Sequence, residues 1–318
     1  MYWKKLGKIF DPSDYNLANS CIDYAQSPQV LVKKDCIRIY FSTRARDSDN
    51  TFVSHVAYVD MSKDLETILN VSNHTVIPLG ELGTFDEHGI FPINVVEYGG
   101  KISAYTCGWS RRASVSVETG VGYAESKDGG TTFEKLGHGP ILTSSTKEPF
   151  LVGDAFVKVF DGTYHMWYMF GTRWKEFGQL NTAERIYKIG HAVSDDGIHW
   201  VKEEAKQIIP DKLHEDESMA LPSVIRINEQ YHMFFCYRES FNFRKDKSRG
   251  YRIGHAVSMD LSNWTRADDS MNINTSESGW DSDMLCYPHV FENDDKIYLL
   301  YNGNEFGRHG FGIAVLEQ

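Results

Sequence analysis

The sequence predicts an all-β fold, a five-bladed β-propeller with four antiparallel strands in each blade. Two observations lead to this prediction. Two sequence elements recur along the chain at spacings between 58 and 68 residues. Both elements are short runs of β-branched and aromatic residues bounded by turn residues, which is typical of strands, and no long helix is indicated.

The first repeated element contains a glycine near its start. It reads IGHAVSDDGIHW from Ile189 and IGHAVSMDLSNW from Ile253, with weaker copies from Val121 and Phe311. The glycines of the four copies are separated by 68, 64 and 58 residues. We interpret this element as the third strand of a blade, followed by a turn and the start of a fourth strand.

The second element lies upstream of the first and occurs five times. It is aligned on a residue that we call the slot residue: Pro28, Pro92, Ala155, Pro222 and Pro288, at spacings of 64, 63, 67 and 66. Runs such as VFDGTYHMWY and VFENDDKIYL indicate a hairpin with Asp, Asn or Gly where the turn needs a positive φ. Each copy therefore supplies the first two strands of a blade.

The two ends of the chain are expected to meet in one sheet. The last copy stops after its third strand, and the N-terminal run YWKKLGKIF resembles the fourth strands HWVKE and NWTRA. A pair of β-sandwiches with chance similarity is the alternative, but it does not explain five agreeing registers. The prediction is a single domain, 1–318, with blades at about 20–75, 84–138, 147–205, 213–267 and 279–318 plus 1–10.

Composition and charge restrict the function. The 318 residues carry a formal net charge of -11 and no run of Lys and Arg, which argues against a nucleic-acid partner. No stretch approaches the ~18 apolar residues of a membrane span, and the N-terminus lacks a signal-peptide core. The five cysteines have no CxxC spacing, so we expect a reducing, cytoplasmic compartment without metal or cofactor. The oligomeric state stays open.

Carboxylates recur where the chain leads into the first strands, at one mouth of the predicted channel. Asp23, Glu87, Glu217 and Asp283 each lie five residues before a slot residue, and the third copy has Asp154 directly before its slot. Carboxylates that lie close together have displaced pKa values, and a pair of them is the usual means of cleaving a glycosidic bond.

Arginines recur at the end of the second strands, 16 to 19 residues after the slot residue, and the fifth copy has asparagines there. Arginine grips planar anions bidentately, which favours an acidic or phosphorylated sugar. Purely architectural ion pairs between blades are the alternative. Trp280 is added as an aromatic platform for a sugar face. The candidate binding residues are then Asp23, Gln26, Arg44, Arg111, Arg173, Arg238, Trp280, Asn302 and Asn304.

Two weaker signals lie near the same mouth. Asp86, Glu87 and His88 form a dense titratable cluster, which is either an acid/base group or a hydrogen-bonded loop anchor. His88, His289 and His309 lack the spacing of a metal site.

The five-copy pattern, with its DGIHW-type turns and its carboxylates before the first strands, resembles the five-bladed propeller glycoside hydrolases of families 43, 32, 68, 117 and 130. The segments RIYFSTR, GELGTFDEHGIFP, GWDSDMLCYP and LYNGNEFGRHGFGIAVLE are also similar to bacterial cytoplasmic glycosidase-related proteins linked with surface-polysaccharide gene sets. The resemblance covers essentially the whole chain. It implies a carbohydrate ligand at the channel mouth, although this fold hosts several chemistries.

The resemblance also implies where acids should lie, and this sequence departs from that pattern. Families 43 and 32 resemble one another in having an acid at or near the position before the slot in the first three blades. Here those positions hold Ser27, Phe91 and Asp154, so a single acid matches.

We therefore predict a carbohydrate-active, glycoside hydrolase-like enzyme. The candidate catalytic residues are Asp86, Glu87 and Asp283 for proton transfer or nucleophilic attack, with Glu217 and Asp154 for tuning or binding. Two alternatives stay open. One is a glycosyl phosphorylase or transferase that uses the arginines to hold a phosphate, and the other is a non-catalytic sugar-binding propeller in surface-polysaccharide biosynthesis.

Overall fold

A computed structural model describes residues 1–178 and 183–317 of the chain. The all-β prediction is confirmed, because strands dominate and the helical segments have three or four residues each. The strands are β1 (Tyr2–Phe10), β2 (Asp23–Val32), β3 (Ile37–Arg46), β4 (Phe52–Met61), β5 (Ile68–Val71), β6 (Gly89–Tyr98), β7 (Lys101–Arg111), β8 (Val117–Ser126), β9 (Glu134–Lys135), β10 (Val152–Phe160), β11 (Thr163–Lys175), β12 (Glu184–Ser194), β13 (Val201–Lys202), β14 (Ser218–Ile227), β15 (Gln230–Arg238), β16 (Arg252–Ser258), β17 (Thr265–Arg266), β18 (Cys286–Asn293), β19 (Lys296–Asn302) and β20 (Phe311–Glu317). The helical segments are α1 (Asn304–Gly307) and the 3₁₀ turns Pro12–Asp14, Ala18–Ser20, Lys247–Arg249 and Asp268–Ser270.

The strands form antiparallel sheets in chain order. Three sheets have four strands, in the orders β10-β11-β12-β13, β14-β15-β16-β17 and β1-β20-β19-β18. The eight remaining strands form one sheet, in which β2–β5 and β6–β9 are joined by a single parallel pair, Ser54 with Gly89. We call β2–β5 unit one, β6–β9 unit two, β10–β13 unit three, β14–β17 unit four, and β18–β20 with β1 unit five.

The predicted pairing of the two chain ends is confirmed. Strand β1 lies antiparallel to β20, with Trp3 opposite Leu316 and Phe10 opposite Phe311. The Trp3 backbone N–H also donates to Asn272 Oδ1 at 2.6 Å, which ties the N-terminus to the segment after unit four. The first residues of the chain therefore form the outer strand of the last sheet.

The predicted hairpins have the turns that the sequence indicates. Between β10 and β11, Asp161 and Gly162 have φ values of 49° and 83°. Between β18 and β19, Asp294 and Asp295 have φ values of 48° and 58°. Two successive positive φ values match the right-handed twist of the strands, and Asp and Gly tolerate them best.

The repeated glycine of the third strand lets an aromatic ring of the neighbouring strand pack flat against the backbone. A Cβ at Gly254 would lie 2.5 Å from the Phe235 ring, and one at Gly190 would lie 2.9 Å from the Tyr168 ring. Both glycines face these rings directly across the sheet. Glycine recurs here because only its lack of a side chain leaves room for the ring.

The hydrophobic core lies in the seams between neighbouring units. Five clusters of buried residues each join two consecutive units, and one of them joins unit five back to unit one. In that seam Phe41 of unit one packs near Phe311 of unit five, with ring centroids 6.1 Å apart. Consecutive units therefore share buried cores, and units five and one share one as well.

The first strands of the units contact each other in the cyclic order β2, β6, β10, β14, β18 and β2. Every junction in this ring has a polar contact from a side chain of one unit to its neighbour. The contacts are Gln29 Oε1 with Asn94 Nδ2 (3.2 Å), Asn94 Oδ1 with Val157 N (2.8 Å), Lys158 Nζ with Val224 O (3.5 Å), Ser223 Oγ with Val290 N (3.0 Å) and His289 Nε2 with Val30 N (3.1 Å).

A substitution at Asn94 tests how much this ring contributes to stability, because the buried Asn94 amide bridges units one and three. Replacing Asn94 by Ala leaves the Val157 N–H without an acceptor and Gln29 without a donor. We expect the free energy of unfolding to fall by about 2–3 kcal/mol, as is usual for buried polar groups left unpaired. Urea unfolding of this variant and of a control at the exposed Asn73, Asn73→Ala, measures the difference. Equal midpoints for the two variants would contradict the role of the ring.

Two buried histidines make stability depend on pH. Burial lowers the pKa of His289 to about 3 and that of His255 to about 4, and Lys158 and His232 respectively add to the effect. In the unfolded chain a histidine titrates near pH 6.5. The unfolded state therefore binds protons that the folded state does not, so stability is complete above about pH 6.5 and falls as the pH drops towards 4.

At pH 5 we expect each of these histidines to lower the free energy of unfolding by about 2 kcal/mol relative to pH 7.5. Urea unfolding at the two pH values measures the loss. In His289→Gln the loss should be smaller by about one histidine's share, whereas the exposed-site control His138→Gln should keep the wild-type dependence. An unchanged pH dependence in His289→Gln would disprove the assignment.

Candidate functional site

The site is built by a bulge that recurs in the first strand of every unit. The pairing of each first strand with its second strand shifts register next to the slot residue. In four units the residue before the slot has a positive φ: Ser27 (52°), Asp154 (49°), Leu221 (51°) and Tyr287 (57°). A bulge re-aims a side chain that would otherwise follow the alternation of the strand. The position before the slot is therefore turned out of the regular pleat.

These bulges surround a cavity of about 240 Å³. Four of the five residues before the slots line it: Phe91, Asp154, Leu221 and Tyr287. The polar lining is completed by side chains of the second and third strands and of the segments next to them: Arg44, Ser54, Thr119, Arg185, Tyr187 and Tyr251. Residues from all five units therefore meet in one pocket.

Asp154 supplies the carboxyl group of the cavity; among the residues that the structure describes, no second Asp or Glu lines it. Its side chain is buried, and burial raises its pKa to about 6 although Arg185 opposes the shift. Gly153 allows this placement, because a Cβ there would lie 2.5 Å from Cys107 Sγ. A carboxyl group with this pKa is present in both protonation states near neutral pH, as an acid–base catalyst requires.

Two arginines, Arg44 and Arg185, line the same cavity as this carboxyl group. Within residues 1–178 and 183–317, neither Arg44 nor Arg185 has a carboxylate within 4.0 Å, although most other arginines do. The Arg44 Nε is buried without a hydrogen-bond partner, and its guanidinium lies 4.5 Å from the Tyr24 ring centroid. Burial lowers the pKa of Arg44, and the nearby charge of Arg185 lowers it further. The pocket is thus locally cationic in a protein of net charge -11.

Two tyrosines of the lining contact each other, and a third arginine contacts one of them. Tyr187 and Tyr251 line the cavity, and their hydroxyls are hydrogen-bonded to each other. Arg238 Nε donates to the Tyr187 hydroxyl at 3.2 Å. The Arg238 guanidinium is buried and stacks 3.6 Å from the Phe243 ring centroid.

The predicted carboxylates five residues before the slots do not join Asp154 in the cavity. Glu217 is fully buried, and it accepts from Arg266 Nη1 at 2.6 Å and from the backbone N–H groups of Lys212 and Leu213. Asp283 pairs with Lys247 at 2.7 Å, which lowers its pKa. Their charges are therefore neutralised where the chain leads into the strands, and their catalytic role stays a prediction.

The acidic residues of the first two units are also held by local contacts. Asp23 lies 3.4 Å from Arg308 Nε, which is a loose ion pair at the rim. Buried Asp86 accepts from Lys135 and from Thr84 Oγ1, and Glu87 accepts from the Gly83 backbone N–H. The cluster of Asp86, Glu87 and His88 thus has the contacts of a loop anchor.

Among the predicted binding residues, Arg44 lines the cavity and Arg238 lies behind it. Arg111 pairs with Asp47 at 2.8 Å, and Arg173 pairs with Glu215 and Asp216. These two residues do not line the cavity, because they are used in ion pairs at the rim, which was the architectural alternative.

The amide side chains and Trp280 contact protein groups. Asn302 accepts from Ser27 N at 2.8 Å, Asn304 accepts from Asp283 N at 2.7 Å, and Gln26 donates to Phe306 O at 2.7 Å. Trp280 stacks on Tyr301 with ring centroids 5.2 Å apart. The tryptophan that lines the cavity is Trp109, which packs against His88.

The three histidines considered for a metal lie in different surroundings. His88 stacks on Trp109, His289 belongs to the ring of first strands, and His309 lies on the surface near Glu305. The described part of the chain contains no group of three His, Cys, Asp or Glu side chains placed to hold a metal ion. In the same part of the chain, no helix has the length and apolarity needed to cross a membrane.

Sequence reasoning missed Arg185, Tyr187, Tyr251 and Tyr287. A signal for the tyrosine pair was present, because Tyr187 and Tyr251 occupy the same position of the repeat, two residues before the IGHAVS run. They were indistinguishable from ordinary strand aromatics. Tyr287 lies directly before a slot residue, the same position as Asp154.

Comparison with known proteins places the chain among relatives. It is 33% identical over its whole length, and over the whole length of the relatives, to the uncharacterized proteins Rv1502 and MT1551 of two Mycobacterium tuberculosis strains. The chain belongs to the family of these two proteins. No protein-family model matches it.

Solved structures with the same fold are glycoside hydrolase-like propeller proteins. One of them, named simply a glycoside hydrolase, has a TM-score of 0.73 at 17% identity, covering 99% of this chain and 92% of the other. A thermostable family-43 glycoside hydrolase has a TM-score of 0.66 at 15% identity, covering 94% and 90%. A beta-1,2-mannobiose phosphorylase from Listeria innocua has a TM-score of 0.68 at 12% identity, covering 99% and 96%. At these identities the likeness concerns the fold.

Proposed function

We propose that the protein is a carbohydrate-active enzyme that cleaves or transfers a glycosyl unit in the central cavity, with Asp154 as its general acid. One observation carries the proposal: a buried carboxyl group with a pKa of about 6 shares a pocket with two guanidinium groups that have no carboxylate partner among the described residues. Cavities with convergent polar groups and shifted pKa values are typical of ligand sites.

The proposed scaffold is a closed five-bladed propeller formed by the five units as one domain, 1–318, with the blade boundaries expected from the repeats. The cyclic contacts of the five first strands and the pairing of β1 with β20 support it. Residues 179–182 and residue 318 lie outside the described part of the chain. A cytoplasmic location is consistent with five cysteines that are all free.

In this proposal Asp154 donates a proton to the glycosidic oxygen as the bond to the anomeric carbon breaks, and the acceptor, water or inorganic phosphate, forms the new bond to that carbon. A buried carboxyl group keeps its proton to higher pH because its charged form is poorly solvated. Donation to the leaving oxygen avoids expelling a strongly basic alkoxide, which is the main obstacle to cleavage of an alkyl glycoside. The indole of Trp109 offers an apolar face for a sugar ring beside this acid.

Arg44 and Arg185 hold an anionic group of the ligand in this proposal. Their neighbouring like charges raise the cost of leaving the pocket without an anion. Guanidinium groups bind carboxylate and phosphate oxygens through paired hydrogen bonds. An acidic or phosphorylated sugar therefore fits the cavity better than a neutral one.

Phosphorolysis is a second candidate function, and a specific observation favours it. Hydrolysis of a glycoside usually needs two carboxyl groups, one as acid and the other as base or nucleophile. In the described part of the chain, the cavity lining contains one. A phosphate held by the two arginines would be the nucleophile, so that Asp154 alone suffices. The name of one protein with this fold, the Listeria innocua mannobiose phosphorylase, agrees with such a chemistry.

The acid role of Asp154 predicts a loss of turnover that depends on the leaving group. In Asp154→Asn we expect kcat/KM for alkyl glycosides to fall by about 10²–10⁴-fold, whereas nitrophenyl glycosides, whose leaving oxygen needs little protonation, lose much less. In the wild type kcat/KM should fall as the pH rises through about 6, because the acid must be protonated. A panel of neutral, uronic and phosphorylated glycosides measures this.

The matched control for this prediction is Asp283→Asn. Asp283 is a carboxylate paired with Lys247 outside the cavity. Loss of turnover in Asp283→Asn together with full activity in Asp154→Asn would reject Asp154 and return the role to the carboxylates five residues before the slots.

Phosphorolysis predicts a requirement for inorganic phosphate. Turnover without phosphate should be absent, and addition of phosphate should yield the sugar 1-phosphate. Arg185→Met should raise KM for phosphate by at least about tenfold, the effect of losing one charge-assisted hydrogen bond. The control Arg244→Met removes an arginine that pairs with Glu184 at the rim. Cleavage that proceeds equally without phosphate would leave hydrolysis of an acidic sugar as the function.

A further inference from the structure

Arg238 is a buried cation without a carboxylate. Its side chain is 1% exposed, and within the described residues no Asp or Glu oxygen lies within 4.0 Å of it. Its polar contacts are the Tyr187 hydroxyl at 3.2 Å and the backbone oxygens of Glu239 (2.9 Å) and Arg185 (3.5 Å). A buried charge of this kind is costly unless its surroundings are arranged to accept its hydrogen bonds. The tyrosines are part of that arrangement.

The hydrogens of the two tyrosine hydroxyls can be counted without knowing their positions. Tyr187 and Tyr251 together have two O–H hydrogens, and their mutual hydrogen bond uses one of them, whichever residue donates. Arg238 has donors only, so it takes up neither hydrogen. One hydroxyl hydrogen of the pair therefore remains to be donated elsewhere, and both residues line the cavity.

We infer that the Tyr187–Tyr251 pair, oriented by Arg238, donates a hydrogen bond to an anionic oxygen of the ligand and completes the anion site of Arg44 and Arg185. Arg238 is a positioning residue in this arrangement, since it acts on the ligand through the tyrosines. The inference rests on the proposed function only in taking this cavity as the ligand site. It requires no particular reaction there.

The arrangement has a consequence for specificity. Both guanidinium groups and the remaining hydroxyl hydrogen are donors, so this part of the cavity favours oxygens that only accept, as in phosphate or carboxylate. A ligand amine or ammonium at the same place would meet donors alone, which leaves buried polar groups unpaired. The site should therefore discriminate against amino sugars in this position.

The test is a set of tyrosine variants and a binding measurement with two anions, inorganic phosphate and glucuronate. Tyr187→Phe and Tyr251→Phe each remove one hydroxyl and the mutual bond, so each leaves one hydrogen free for the ligand. The double variant leaves none. We expect affinities within a few-fold of wild type for the single variants and at least about tenfold weaker binding for the double variant. The control is Tyr298→Phe, which changes a buried tyrosine that does not line this cavity.

Arg238 is tested by two substitutions. Arg238→Lys keeps a donor for the Tyr187 hydroxyl and should bind both anions as wild type does, whereas Arg238→Met removes that donor and should weaken binding by about the same few-fold as Tyr187→Phe. A purely packing role would predict the opposite ranking. Thermal unfolding shows which of these variants fold, and the tyrosine series decides the question if Arg238→Met does not.

The outcomes are separable from those of the proposed function. A double variant that binds as tightly as wild type, or a wild type that binds neither anion, overturns the inference. A non-additive loss in the double variant supports it even if Asp154→Asn shows no effect on turnover, in which case the proposed reaction fails and the anion site stands.

Discussion

The ring of polar contacts between the five first strands is the constraint on which the rest of the structure depends. Different side chains make the hydrogen bonds between neighbouring strands. Asn94, Ser223 and His289 each accept from a backbone N–H of the neighbouring unit. Asn94, Ser223 and His289 are buried, and buried polar groups need a hydrogen-bond partner. Fixing these strands fixes the bulges and hence the cavity, since the slot residues directly precede the bonded segments.

Charge is distributed in two different ways around this frame. At the rim, acids and bases are matched in pairs, such as Glu217 with Arg266 and Asp283 with Lys247. In the cavity they are mismatched in number: the lining holds two arginines and one carboxyl group, which burial keeps largely protonated at acidic pH. Ion pairs anchor loops at little cost. Unpaired buried charges instead favour binding of a ligand of opposite charge. The mismatch, rather than the number of charged residues, distinguishes the cavity from the rim.

Repetition explains how much was predictable. Strand positions, hairpin turns and the pairing of β1 with β20 follow from patterns of period two and from turn residues, and these are local. The ion pairs are not local: Glu217 meets Arg266 across 49 residues and Asp86 meets Lys135 across 49. Spacing along the chain therefore cannot tell a neutralised carboxylate from a free one. Asp154 was visible in the sequence as the acid directly before a slot residue, but only the structure shows that the carboxylates five residues before the slots do not join it in the cavity.

The repeated bulge separates folding from chemistry. The backbone at the position before the slot is held by the ring and by the neighbouring strands, so the side chain there contributes little to the choice of fold. The five positions hold serine, phenylalanine, aspartate, leucine and tyrosine, and the last four of these side chains line the same cavity. The repeated bulge thus gives one backbone frame to every unit, while the residue at each position sets the chemistry of the cavity wall.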